Sequence, residues 1–193
     1  MRFSSRIRAL IAALLLASPT TVHGKASPRH AQVILPTLKV GQWIQLESLI
    51  QKDAQVHCTE LRLLAGDFLD DDWSLKGRVE IIDLDTRRFR IASIPIQVTD
   101  NAVIDGDRGM LNGLSDIRTG MIVEVDGTYL KNGTFRAKEI EDESQDLRKI
   151  PDMANRLAIV GKIERVDAGR RRITVMGTDF LITEKTQLKS VIR

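Results

Sequence analysis

Two clusters of arginine residues recur at matching places in this sequence, and they are its strongest candidates for binding chemistry. The clusters are Arg87, Arg88 and Arg90 after one predicted turn, and Arg170, Arg171 and Arg172 after another. A guanidinium group pairs with carboxylate or phosphate through two parallel hydrogen bonds. We therefore predict that the two clusters together form an anion-binding ridge. The alternative is that they only keep exposed strands soluble.

Two tryptophans could present an aromatic face to a sugar or a base. Trp43 belongs to a predicted strand, where packing is the commoner use of the ring. Trp73 follows a run of aspartates, so we predict that Trp73 is exposed and contributes to ligand binding.

Catalytic chemistry has few candidates in this chain. His30 and His57 lack metal-ligand spacing, and the sequence has neither a Gly-x-Ser-x-Gly motif nor a recognisable cysteine–histidine pair. Four aspartates within residues 67–72 could offer oxygen ligands to calcium, but they lack the order of a calcium loop and favour a solvated linker. We predict a protein that is not an enzyme and holds no metal or cofactor. The alternative is an envelope hydrolase with its site assembled between two modules.

The elements that position these residues repeat along the chain without gaps. Residues 35–61 align with 114–140, and each copy reads as a β-hairpin, here called the hairpin unit. Residues 76–104 align with 160–188, and each copy reads as three strands joined by tight turns, here called the three-strand unit. The chain order is therefore hairpin, three strands, hairpin, three strands.

One three-strand unit and one hairpin unit supply five strands, the number in a small barrel of the oligonucleotide/oligosaccharide-binding (OB) type. We predict an all-β protein of two OB-like five-stranded barrels in tandem. Residues 76–142 form a contiguous module. Residues 33–63 and 158–193 combine into the second module, because an unpaired hairpin is marginal in water. Residues 64–75 and 143–157 are predicted connectors.

Cys58 occupies the position that Ala137 holds in the other hairpin unit. A free cysteine usually behaves as a small apolar core residue. The repeat therefore favours a packing role for Cys58 over a reactive thiol.

The central copy carries a glycine-led three-strand segment, then Leu-x-x-Gly-x-x-Val-x-Val-x-Gly, Asn-Gly at the hairpin turn and Ala-x-x-Ile near the end. The residues in this pattern are Gly77, Ile117, Gly120, Val123, Val125, Gly127, Asn132, Gly133, Ala137 and Ile140. It resembles the bacterial domain of unknown function numbered 5666. The first hairpin departs from the pattern, with Ser48 at the second glycine and Asp53-Ala54 at the turn. The resemblance implies OB-like β modules and an exported setting, and it implies no catalytic residue.

Residues 1–24 have the composition of a secretory signal peptide. Arg2, Arg6 and Arg8 precede an apolar run at 9–17, which is too short to span a bilayer. We therefore predict a periplasmic or secreted protein with no membrane span after signal removal.

Signal removal also changes the charge balance. It takes away three of the 29 basic residues and no acidic one, so the remaining basic residues equal the 26 acidic residues in number. A nearly neutral chain lacks the net positive field that nucleic-acid binders use. We predict no nucleic-acid partner. The predicted function is a non-catalytic binding or interaction module of the bacterial cell envelope, with an acidic envelope polymer or a protein as partner.

Overall fold

The computed structural model describes residues 35–105, 111–145 and 150–192, and their regular structure is β apart from short 3-10 turns. The strands are β1 Trp43–Ile50, β2 Val56–Leu64, β3 Trp73–Asp83, β4 Arg88–Ile91, β5 Ile94–Asp105, β6 Ile122–Tyr129, β7 Phe135–Asp142, β8 Arg156–Lys162, β9 Arg165–Asp167, β10 Arg172–Val175 and β11 Thr178–Ile192. The turns are Leu35–Thr37, Leu114–Asp116 and Pro151–Asn155. The prediction of an all-β protein is confirmed.

The predicted signal peptide lies outside the described residues. Within the part of the chain that the structure describes, no helix is long and apolar enough to cross a membrane.

Alternation of apolar and polar residues explains the strands. In β4, Phe89 and Ile91 are buried while Arg88 and Arg90 are exposed. Successive side chains of a strand point to opposite faces, so this period of two places the arginines outside whenever the phenylalanine is inside.

Strands β3 to β7 close into a five-stranded barrel. Their pairing runs β3–β4–β5–β7–β6 and returns to β3, and only the β5–β7 pair is parallel. Phe89, Ile96 and Phe135 fill its core and are almost completely buried. In the part of this copy that the structure describes, closure leaves no open sheet edge, the usual site of strand-to-strand aggregation.

The N-terminal hairpin of β1 and β2 does not stand alone. β1 pairs with β8, and β2 pairs in parallel with β11, which continues through β10 to β9. β8 and β9 are separated only by Ile163 and Glu164, and the amide of Glu164 donates to the carbonyl of Thr174 on β10. The hairpin is therefore joined to strands from the C-terminal copy, while the domain boundaries drawn from the sequence stay a prediction.

The two copies repeat each other down to single backbone conformations. A β-bulge lies between Glu47 and Ser48 and again between Asp126 and Gly127. The hairpin turn has a positive φ in both copies, 82° at Gly133 and 63° at Ala54. Glycine adopts this left-handed conformation without strain, whereas alanine does so at a steric cost. The repeat thus conserves the turn where the residue type changes.

The copies meet where β3 pairs with β8, around a local twofold axis. The register joins Ser74 to Val160, Leu75 to Ile159 and Lys76 to Ala158. In the repeat alignment Lys76 corresponds to Val160 and Ser74 to Ala158, so the pairing exchanges equivalent positions. Strands β6, β3, β8 and β1 form one continuous antiparallel sheet across this junction.

Trp73 is a packing residue of the junction, and the prediction that it is exposed was wrong. Its side chain is 7% exposed. Its ring centroid lies 5.1 Å from that of Trp43 and 5.5 Å from that of Tyr129. A Cβ atom at Gly161 would come within 2.7 Å of the Trp73 ring, so the glycine makes room for it. The aspartates before Trp73 suggested solvent, but the local sequence could not show that the ring turns toward the other copy.

Candidate functional site

One face of the junction sheet carries a row of buried polar side chains. Glu124, Lys76, Ala158 and Glu47 are successive cross-strand neighbours on β6, β3, β8 and β1. The three charged members are at most 7% exposed. Buried ionisable groups in one place are the usual sign of a site with unusual chemistry.

Lys76 is the charge centre of this row. Its Nζ atom lies 2.8 Å from a carboxylate oxygen of Glu143 and 3.9 Å from one of Glu124. Ser74 Oγ lies 3.4 Å from Glu124 Oε1 and donates a weak hydrogen bond to it. One lysine therefore faces two carboxyl groups.

Burial changes the acidity of both glutamates in the row. Burial raises the pKa of Glu124 to about 8, and the positive charge of Lys76 opposes this shift only in part. Burial likewise raises the pKa of Glu47 to about 7 against the opposing charge of Arg156. Glu47 Oε1 and Arg156 Nε have no hydrogen-bond partner among the described residues. Near neutral pH these carboxyl groups hold protons that exposed glutamates would lose.

A small cleft adjoins this row. It is lined by Lys76, Gly77, Ile122, Met153, Arg156 and Ala158, and it has room for about one water molecule.

A second polar cluster lies on the outside of the central barrel. Arg88 on β4 pairs in register with Gln97 on β5, which pairs with Arg136 on β7. Arg90 lies two residues from Arg88, opposite Pro95. All three arginines are exposed, and we call Arg88, Arg90 and Arg136 the arginine face.

Gln97 orients one member of the arginine face. Its Oε1 atom accepts a hydrogen bond of 2.5 Å from Arg88 Nε, and its Nε2 atom donates to the carbonyls of Thr86 and Arg87. Within the described part of the chain, no hydrogen bond from the two outer nitrogens of Arg88 is seen. Among the described residues, the side chains of Arg90 and Arg136 have no ion-pair or hydrogen-bond partner. The arginine face therefore presents positive charge to solvent.

The equivalent surface of the C-terminal copy has a carboxylate of its own between two arginines. Asp179 occupies the position of Pro95, and its carboxylate lies 3.0 Å from Arg165 and 3.7 Å from Arg172. A hydrogen bond of 2.6 Å from Thr174 and the two arginines hold the pKa of Asp179 below its ordinary value. The two copies have similar backbones but differ in the positive charge that this surface presents to an anion.

The two predicted arginine clusters belong to different copies. β4 and β10, which carry them, lie on either side of the β3–β8 pairing, so a common anion-binding ridge stays a prediction. Because β3 and β8 are antiparallel, each leads its own turn away from the junction. Repetition in sequence indicated matching positions, and only the pairing of β3 with β8 shows how the two copies are joined.

The other predicted arginines are at the turns. Arg87 and Arg171 both adopt left-handed backbone conformations, with φ of 54° and 53°. Arg87 turns its guanidinium back onto the carbonyls of Val98 and Thr99 and so bridges β5. Arg170 is exposed beside Asp167, with 3.9 Å between their charged groups, and Arg171 is exposed. Arg87 therefore supports the turn, while Arg170 and Arg171 are solvated.

Two of the aspartates before Trp73 form ion pairs at the surface. Asp71 accepts a bond of 2.8 Å from Lys138, and Asp70 one of 3.0 Å from Lys162. Within the described residues no group of histidine, cysteine and acidic side chains is arranged to hold a metal ion.

Cys58 is buried on β2 and packs in the core beside the C-terminal copy. Burial raises the pKa of its thiol well above the ordinary range. We expect Cys58→Ala to fold normally and to lose about 1 to 2 kcal/mol of unfolding free energy through a small cavity. Urea denaturation measures this loss. Rapid labelling of the native thiol by a maleimide would contradict the packing role.

Two features of these sites were not predicted from the sequence. Arg136 belongs to the arginine face, and its alternation with Phe135 and Ala137 was a signal that it points outward. The buried row of Glu47, Lys76 and Glu124 had no such signal, because alternating charged residues in a strand ordinarily face water.

Comparison with known families supports the resemblance seen in the central copy. Residues 76–141 match the model of a family described as Domain of unknown function (DUF5666). Neither a curated protein nor a solved structure matches the chain. The predicted resemblance to this family is confirmed over the central barrel.

Proposed function

We propose that this chain, whose central barrel resembles the DUF5666 family, is a non-catalytic binding module that captures an anionic partner on the arginine face. The observation that carries the proposal is the difference between the copies. Asp179 pairs with Arg165 and Arg172 in the C-terminal copy, whereas Pro95 puts no such carboxylate on β5 beside Arg88 and Arg90. Asp83, the register partner of Arg88 on β3, uses its carboxylate to accept from the amides of Asp85 and Thr86. An exposed guanidinium that still has unengaged N–H groups is available to an external anion.

We further propose that the molecule consists of two OB-like barrels in tandem. Strands β8 with β9, β10, β11, β2 and β1 have the same pairing order as the closed central barrel. The local twofold then points the two outer surfaces in different directions. One copy would bind the partner, and the other would complete the scaffold.

The setting we propose is the bacterial cell envelope. This rests on the basic start and the short apolar run of residues 1–24, which are typical of an export signal.

A hydrolase with its site at the junction is the second candidate function. The observation in its favour is that Glu47 and Glu124, both with raised pKa values, converge there with Lys76. Against it, these side chains are buried and the adjoining cleft has room for about one water molecule. A catalytic pair must reach its substrate, so the arrangement favours a structural role for the row.

A pair of matched variants tests binding by the arginine face. We expect Arg88→Gln/Arg90→Gln to elute from a sulfonate cation-exchange column at clearly lower salt than the wild-type chain. Arg171→Gln/Arg172→Gln removes the same net charge from the other copy and should lower the elution salt much less, because Arg172 is already paired with Asp179. Circular dichroism checks the fold of both.

Equal elution of the two variants would overturn the proposal. It would mean that the column responds to net charge alone and that the central copy has no privileged anion-binding surface.

A further inference from the structure

We infer that the arginine face binds an acidic peptide segment in extended conformation, with carboxylates on alternate residues. This inference rests on the proposed function and adds the class of partner to it. It follows from the spacing of the three guanidinium groups. It also follows from the carboxylate of Asp179, which stands in the C-terminal copy where the central copy has Pro95.

The spacing along β4 fits an extended chain. Arg88 and Arg90 are two residues apart on one strand and point to the same side, so their Cα atoms are roughly 6.5 to 7 Å apart. An extended ligand repeats its same-face side chains at this interval. Two glutamates separated by one residue can therefore meet two arginines in register.

The third arginine widens the surface across the barrel. Arg136 lies two strands from Arg88, with Gln97 between them, which sets the two positions roughly 9 to 10 Å apart. A glutamate near the end of the bound segment can reach Arg136. Because exposed ion pairs are individually weak, a useful affinity requires several of them at once.

The rigid backbone under these side chains favours an ordered complex. β4 and β5 belong to the closed barrel, and Gln97 holds Arg88 by its Nε atom while leaving its two outer nitrogens for a carboxylate. A positioned guanidinium loses less side-chain freedom on binding than a mobile one. Gln97 acts here as a positioning residue.

The C-terminal copy shows what an occupied version of this surface looks like. Asp179 stands at the position of Pro95 and forms ion pairs with both Arg165 and Arg172. Transferring that carboxylate to the central copy by Pro95→Asp should satisfy Arg88 and Arg90 internally. The same substitution exists naturally on the equivalent strand, so the fold accommodates it.

The test measures fluorescence anisotropy of two labelled peptides with the full chain at low salt. One peptide alternates glutamate and serine, with three glutamates; its isomer has the three glutamates in succession. We expect the wild-type chain to bind the alternating peptide at least fivefold more tightly than the isomer. Pro95→Asp and Arg88→Gln/Arg90→Gln should each weaken that binding at least tenfold. Arg171→Gln/Arg172→Gln should bind like wild type.

Two results separate the inference from the proposed function. Equal binding of the two peptides, or tighter binding of polygalacturonate that Pro95→Asp still weakens, would overturn the peptide inference and leave the anion-binding module standing. Wild-type affinity for every anionic probe in Pro95→Asp and in Arg88→Gln/Arg90→Gln would overturn both.

Discussion

The unfolding free energy of this protein should fall as the pH rises from about 5 to 9. Burial raises the pKa of Glu47 to about 7 and that of Glu124 to about 8, from an ordinary value of 4.5. The folded state therefore binds protons that the unfolded state has released over this window, and stability declines with pH. Below about pH 4.5 both glutamates are protonated in the folded and in the unfolded state, so neither lowers the unfolding free energy. Ionisation of the two buried glutamates should lower the unfolding free energy by several kcal/mol above pH 8, since one pKa unit corresponds to about 1.4 kcal/mol.

Glutamine variants isolate this effect. Glu47→Gln and Glu124→Gln keep the shape of each side chain and remove its titration. We expect each to be more stable than wild type at pH 9 by roughly 2 to 3 kcal/mol, and close to wild type at pH 4.5. Urea denaturation at constant ionic strength measures the difference.

An exposed carboxylate provides the control for this series. Glu184→Gln removes a glutamate on the surface of β11 and should change stability by no more than about 0.5 kcal/mol at either pH. Asp179 and Asp71 have lowered pKa values, so their contributions are lost only below about pH 4, outside the window. A pH profile that is the same in wild type and both glutamine variants would show that the two glutamates are not buried as described.

Replacing Lys76 by methionine should be the most damaging single change at the junction. The variant leaves Glu143 without its partner at 2.8 Å and Glu124 without its nearest positive charge. Breaking a buried ion pair by removing one member typically costs about 3 to 5 kcal/mol. We expect a loss in this range at pH 9. At pH 5 the loss should be smaller, because Glu124 is then protonated in the folded state.

The double variant Lys76→Met/Glu124→Gln tests whether the loss of stability arises from the buried carboxylate of Glu124 that is left without a positive partner. It should recover at least half of the stability lost at pH 9, since the uncompensated carboxylate is gone. Lys138→Met breaks the exposed pair with Asp71 at the same 2.8 Å distance and should cost no more than about 1 kcal/mol. No recovery in the double variant would attribute the loss to the lysine stem and its packing.

Much of the fold was predictable because its signals are local. Alternation in Arg88 to Ile91 and in Phe135 to Lys138 places apolar side chains on one face of each strand, and a two-residue period permits no other arrangement with that face buried. Because the repeat has no gaps, the same inward and outward positions were predicted for the first hairpin. Even the core follows it: Phe135 pairs with Ile96 in one copy, and Val56 pairs with Phe180 in the other, so each pair has one phenylalanine.

The candidate site was only partly predictable for the same reason. Arg88 and Arg90 were identified because their exposure follows from Phe89 between them. Their position relative to the second cluster was not, because it depends on the antiparallel pairing of β3 with β8 across more than eighty residues of sequence. The absence of a carboxylate opposite Arg90 also depends on strand register, which places Pro95 there.

The sequence by itself determined the strands, the turns, the repeat and the outward direction of the arginines, because each of these is set by neighbours within a few positions. Tertiary structure alone decided that Trp73 is covered by Trp43 and Gly161, and that Lys76 is buried with Glu124 and Glu47. In a single strand a charged residue on the face opposite the core should be solvated. Here Met153 of the turn Pro151–Asn155 and Arg156 lie beside Lys76 and help to cover that face. Burial then changes carboxylates that a single strand would leave solvated into groups that hold protons near neutral pH.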